Sequence, residues 1–251
     1  RADMPNDTVV VNGATLTILP GTEVEVGMLS VYDGRIMALG TATEPIRFTK
    51  QAPDYSNVPA DYAPYDRECY FFPEAGMIEF ATNVEARTEA SVFRYVTFEG
   101  MGTSEWVGSD NCPWNMGMRN PVHDWFIRTA HASERRFVEY PALRVDGGKL
   151  QLESVSFRNN AHADIETNHY FGIDWETYDY LRVTDSNFEG DAANRAVISH
   201  MYYDEGMEQN RSGAVLLRNN WYGDASGPTT TSNPGGTGEQ LIGDFELDSW
   251  S

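Results

Sequence analysis

The sequence predicts an all-β solenoid, a single domain built by stacking similar coils. Three observations predict it: short apolar runs separated by tight-turn dipeptides, the lack of a helical stripe in the first half, and a strand pattern that recurs at a near-constant interval. The opening segment, TVVVNGATLTILPGTEVEVGMLSVYDGRIMALGTATEPIRFTK from Thr8 to Lys50, shows the first. Its alternating apolar residues read as strands, and Asn-Gly, Pro-Gly and Asp-Gly mark the turns between them. No window there carries apolar residues at the 3.6-residue period of a helix, which disfavours helical and α/β folds.

Recurrence separates a solenoid from a hairpin sandwich. Four segments superpose: SVFRYVTF ending at Phe98, LQLESVSF at Phe157, LRVTDSNF at Phe188 and AVLLRNNW at Trp221. The intervals from Phe157 to Phe188 and from Phe188 to Trp221 are 31 and 33 residues, each suited to one coil of three strands. Phe98 to Phe157 is 59 residues, which fits two coils or one coil with a large insertion. On this register Phe98, Phe157, Phe188 and Trp221 occupy one inward rung. Phe93, Leu152, Val183 and Leu216 form a second inward rung, and Ser91, Leu150, Leu181 and Ala214 a third. After each aromatic come Glu99-Gly100, Arg158-Asn159-Asn160, Glu189-Gly190-Asp191 or Tyr222-Gly223-Asp224, residues that tolerate positive φ and suit a stacked turn.

The runs LTILPGTEVEV from Leu16, ALGTATEPIRFT from Ala38, NNWYGDASGP from Asn219 and NPGG from Asn233 resemble recurring phrases of bacterial and archaeal secreted or cell-surface proteins built on right-handed parallel β-helices of the pectate-lyase-like superfold. The resemblance implies a right-handed parallel β-helix of five to seven coils. Its N-terminal cap would lie at 8–26, its insertions at 51–75 and 101–141, and its closing segment at 222–251, where LIGDFELDSW would form a terminal strand and cap. It says little about activity, because lyases, epimerases, adhesins and carbohydrate-binding modules share the scaffold.

Composition narrows the partners. Asp and Glu number 38 against 18 Lys and Arg, a formal charge of −20, so nucleic acid phosphates and anionic membrane surfaces would be repelled. No apolar run is long enough to insert in a membrane. Arg1 stands where an initiator Met would, which fits a processed mature protein or a domain of a longer one, and a secreted or cell-surface location is expected. The carboxylates offer oxygen ligands for Ca²⁺ on surface turns, but no EF-hand-like spacing occurs; a solvated acidic surface is the simpler reading.

The two insertions interrupt the rhythm and carry the candidate binding residues, since long loops on a solenoid commonly bear function. Tyr65, Tyr70, Trp106, Trp114, Trp125 and Arg135 are concentrated there. Their rings suit stacking on sugars, a protein interface, or a small core for the loops themselves. Cys69 and Cys112, the only cysteines, fit a disulfide pinning the insertions together or two separate buried thiols. The segment Val122 to Phe137 is compatible with a short helix.

Candidate chemistry centres on His169 and His200, each twelve residues after a rung aromatic and therefore expected on adjacent coils. Tyr202 stands near His200, with Asp164, Glu166 and Asp204 as charge partners, a set that could supply a general base or metal ligands. The alternative is structural, because the alternation before each histidine, Ile165 and Thr167 or Ala196 and Ile198, points inward or to a corner. Arg144, Arg182 and Arg195 are available cations, Arg144 and Arg182 reading as outward and solvated within LRV runs. The expected function is a non-catalytic extracellular module acting in adhesion, glycan binding or lateral self-association. The alternative is a polysaccharide-active enzyme, lyase before glycosidase.

Overall fold

The computed structural model describes residues 2–4, 8–10, 13–32, 34–52, 76–80, 89–107, 136–146, 149–167, 179–190, 193–200, 202–204, 209–211, 214–243 and 245–250. Among them there is no helix, and hence none long and apolar enough to cross a membrane. The protein is all-β, organised in three long sheets of 6, 8 and 7 strands whose successive strands run parallel. The chain visits these sheets in rotation. One circuit, for example, lays Val96–Glu99 in the first sheet, Leu143–Val145 in the second and Leu150–Glu153 in the third; the next lays Ser156–Arg158, Ile165–Thr167 and Asp179–Thr184 beside them. Thr8–Val10, Thr15–Ile18 and Glu23–Val26, where the N-terminal cap was expected, are strands of the second, third and first sheets, the first two at a sheet end. The closing residues likewise contribute Gly238–Gly243 and Glu246–Trp250 to the second and third.

Parallel pairing in register places like positions above one another, so each inward residue repeats as a column. In the first sheet the column is Val24, Phe48, Phe98, Phe157, Phe188 and Tyr222. Successive rings from Phe48 to Tyr222 stack at centroid distances of 5.2, 5.2, 5.0 and 5.1 Å, close to the spacing that strand pairing imposes. Tyr222 is fully buried, whereas Trp221 pairs with Asn187 and lies on the outer side. The fourth expected rung residue is thus corrected by one position. The same slip runs through the third sheet, where Leu181 and Val183 meet Val215 and Leu217 instead of Ala214 and Leu216, beyond an irregularity at Asp179. Leu-Leu and Trp-Tyr each offered two candidates, and burial selects the second of both.

On four successive circuits the bend from the third sheet into the first is made by one left-handed residue: Tyr95, Ser154, Asp185 and Asn219, with φ of 49, 53, 51 and 52°. Asn and Asp tolerate this region, whereas Tyr and Ser adopt it at a cost. Beside it a buried polar ladder joins successive circuits. The Val155 amide donates to Ser186 Oγ at 3.1 Å, the Ser186 amide donates to Asn220 Oδ1 at 2.9 Å, and Asn220 Nδ2 donates to the Val183 carbonyl at 3.0 Å. After the aromatic, Gly100 and Asn159 adopt the expected positive φ. On the outer faces, arginines link circuits: Arg47 to Glu99, Arg94 to Glu153 and Arg158 to Glu189, at 2.9, 2.7 and 2.8 Å. Exposed pairs of this kind contribute at most about 1 kcal/mol each.

Residues 51–76 and 100–142 both connect the first sheet to the second, on consecutive circuits and therefore at the same corner. The second connection begins and ends in an antiparallel hairpin of Thr103–Val107 with Arg136–Tyr140. Arg136 and Phe137 are accordingly strand residues where a helix was compatible with the sequence. Lys50 Nζ fastens the hairpin base, donating to Thr103 Oγ1 at 2.6 Å and to the Gly102 carbonyl at 3.4 Å. Cys69 and Cys112 lie outside the described residues.

The register makes a direct prediction. Tyr222→Ala is expected to destabilise by about 3–5 kcal/mol, whereas Trp221→Ala costs under about 1 kcal/mol, as read by urea unfolding midpoints.

Candidate functional site

In the second sheet Ser30, Glu79, Arg144, Glu166 and Ile198 form one column, a residue per circuit, and Ser30, Glu166 and Ile198 in it are buried. Glu79 accepts from Ser30 Oγ and from the Tyr32 hydroxyl, both at 3.3 Å. Burial, with the Glu79 charge beside it, raises the Tyr32 hydroxyl above its ordinary pKa. Further along, the column gathers a denser cluster around Glu166, whose side chain is only 9% exposed.

Each carboxylate oxygen of Glu166 faces a different imidazole. Oε1 lies 3.1 Å from His200 Nε2 and 3.7 Å from Arg144 Nη2; Oε2 lies 3.3 Å from His162 Nε2. Burial alone would push the Glu166 carboxyl up, but the hydrogen bond from His162 and the positive charges of Arg144, His200 and His162 outweigh it and hold the group below its usual range. Glu166 is therefore ionised at neutral pH and orients both rings. The Arg144 guanidinium also lies over the Tyr140 ring, 5.8 Å from its centroid, so the cation read as solvated is engaged on two sides and only 22% exposed.

His162 is held in the left-handed region, φ 59°, with its side chain 9% exposed. Its Nδ1 lies 3.1 Å from both Glu139 Oε1, on the hairpin, and Arg195 Nη1. Nδ1 thus stands between the Glu139 carboxylate of the hairpin and the Arg195 guanidinium of Arg195–Ser199. Asp164, two residues before Glu166, is buried and accepts from Asn160 Nδ2 at 2.8 Å, while Asn160 Oδ1 accepts from the Met101 amide at 2.8 Å. Burial, followed by the charge of the equally buried Glu239, drives the Asp164 carboxyl well above the usual carboxylate range against the Asn160 bond.

His200 reaches this cluster from the end of Arg195–Ser199 and is half exposed, 51%, rather than inward. In the second sheet Ile165 pairs with Val197, 32 residues on, so the 31-residue interval that equated His169 with His200 does not hold there. His169 itself lies outside the described residues, as do Tyr65, Tyr70, Trp114, Trp125 and Arg135. Tyr202 and Asp204 lie in the strand Tyr202–Asp204, paired antiparallel with Gln209–Arg211, and Trp106 in the strand Thr103–Val107 opposite Phe137. The sequence had suggested Glu166 as a partner of His200, but His162 and Glu139 carried no periodic signal. Among the described residues no group of three or more His, Cys, Asp or Glu is placed to hold a metal ion, and the Ca²⁺ expectation finds no donor cluster there.

Comparison of the chain with protein-family models, curated proteins and solved structures finds no match.

The two buried acids act oppositely on stability. A depressed Glu166 contributes stability at pH above about 4.3 that is lost as pH falls through its folded pKa. A raised Asp164 contributes stability below about 3.9 that is lost as pH rises through its folded pKa. Glu166→Gln should therefore destabilise by about 2 kcal/mol at neutral pH, a difference from the parent protein that vanishes in acid. Asp164→Asn should gain on the parent protein as pH rises from the acid range toward neutrality. Melting temperatures of both variants across this range check the two signs.

Proposed function

We propose that the three sheets are the sides of one right-handed parallel β-helix, and that the chain is a non-catalytic extracellular module of a surface or matrix protein, recognising a glycan or a protein partner. The rotation of the chain through three parallel sheets supports the β-helix, and the near-universal right-handedness of parallel crossovers supports its hand. The observation that carries the recognition role is the shared origin of 51–76 and 100–142 at one corner of consecutive circuits. The sequence of these two connections is rich in aromatic residues, the side-chain type such a recognition surface would use. A charge of −20 and the secreted-protein resemblance favour an extracellular glycan or protein over a nucleic acid.

A second reading, polysaccharide lyase, is favoured by the cluster at Glu166. His200 is partly open to solvent, oriented through Nε2, and shares the Oε1 oxygen of Glu166 with Arg144. A lyase needs a cation for the uronate carboxylate and a base for the adjacent carbon-bound proton, and these side chains have the right chemistry.

The test is incubation with polygalacturonate, alginate and chondroitin sulfate, monitored in the ultraviolet for unsaturated products. The module reading expects none, together with calorimetric binding of a glycan that Tyr70→Ala and Trp114→Ala weaken without lowering the melting temperature. Product that disappears in His200→Gln would establish the lyase reading instead.

A further inference from the structure

The outward column of the first sheet runs Glu23, Arg47, Thr97, Ser156, Asn187 and then Trp221. The first five are polar and the sixth is the largest apolar side chain available. Its presence there has no explanation in the core, because the inward slot beside it is filled by Tyr222. Trp221 instead lines an open cleft of about 410 Å³ together with Asn187, Glu189, Gly190 and Gly223. Asn187 is exposed and Trp221 half-buried. Glu189 is fixed by Arg158, whose Nη2 donates to its Oε1 at 2.8 Å. Gly223 has a φ of +85°, and a Cβ there would strike the Gly190 carbonyl, so bare backbone forms this side of the cleft.

We infer that this cleft is a binding subsite for a neutral pyranose sugar. An indole offers a flat apolar surface to the carbon-bound hydrogens of one sugar face. The Asn187 amide and the Glu189 carboxylate supply the donor and acceptors that ring hydroxyls require. The volume falls in the range of small-molecule sites, about 300–1,000 Å³. The charge of the sugar follows from the rim: Glu189 is anionic, Arg158 is already committed to it, and the chain carries −20, so a uronate or sulfated sugar would meet repulsion. The subsite lies on the first sheet, away from the outer face of the second, and does not depend on the recognition role proposed above.

The test is calorimetric titration with neutral cello-, manno- and galacto-oligosaccharides, with oligogalacturonate as the anionic comparison. At least one neutral oligosaccharide is expected to bind, Trp221→Ala to weaken it by about tenfold or more, and Trp221→Phe to retain part of the affinity. Glu189→Gln should also weaken binding, while Glu246→Gln, on the third sheet, leaves it unchanged. If Trp221→Ala lowers the melting temperature, Trp221→Phe and Glu189→Gln carry the comparison. The inference is overturned if no neutral oligosaccharide binds, if oligogalacturonate binds in preference, or if the Trp221 and Glu189 variants bind like the parent protein.

Discussion

Parallel pairing between successive circuits forces each position of the chain to live with its own counterpart above and below. The backbone spacing of about 4.8 Å makes that counterpart its nearest neighbour across the sheet. Where the counterpart is an aromatic ring, the result is the continuous stack from Phe48 to Tyr222, with interplanar angles falling from 26° to 2° along it. Where it is a small polar residue in the interior, the result is the Ser186 and Asn220 ladder, whose side chains take up backbone groups at a bend that would otherwise leave them unpaired. Outside, the same constraint sets an arginine beside a carboxylate one circuit away. Core, corner and surface are three expressions of one repeat.

This is why so much of the fold could be read from the sequence and why the reading slipped where it did. Aromatic spacing located the rungs at Phe98, Phe157 and Phe188 because from Phe48 onward each inward ring stacks on the ring of the circuit before it. At the last circuit two adjacent aromatics and two adjacent leucines fitted the pattern equally well, and only burial distinguishes Tyr222 from Trp221. The left-handed corner was legible in Asp185 and Asn219, yet Tyr95 and Ser154 adopt the same conformation without any compositional cue.

The cluster at Glu166 was less legible for a related reason. Register is inherited within a sheet but lost across a corner: from Phe157 to Ile165 is eight residues, and from Phe188 to Val197 nine. An alignment anchored on the first sheet therefore misplaces the second by one, enough to exchange inward for outward. His162, Glu139 and Arg195 lie on a corner, a hairpin and a strand respectively, and come together through no common period. Electrostatically the cluster joins the regular body to the hairpin of the second connection, since Glu139 belongs to one and His162 and Arg195 to the other.

The corner between the first and second sheets behaves differently from the one between the third and first. The latter takes four and six residues on the first two circuits and then narrows to a bend made by one left-handed residue at each of Tyr95, Ser154, Asp185 and Asn219. The former accepts a handful of residues on one circuit and dozens on another while the strands it joins keep their partners. Closing a longer loop costs only logarithmically more. A lineage can therefore rewrite what this protein presents to its surroundings, in length and in chemistry, without renegotiating the stack that holds it up. The two corners divide the molecule into a part that must repeat and a part that is free to differ.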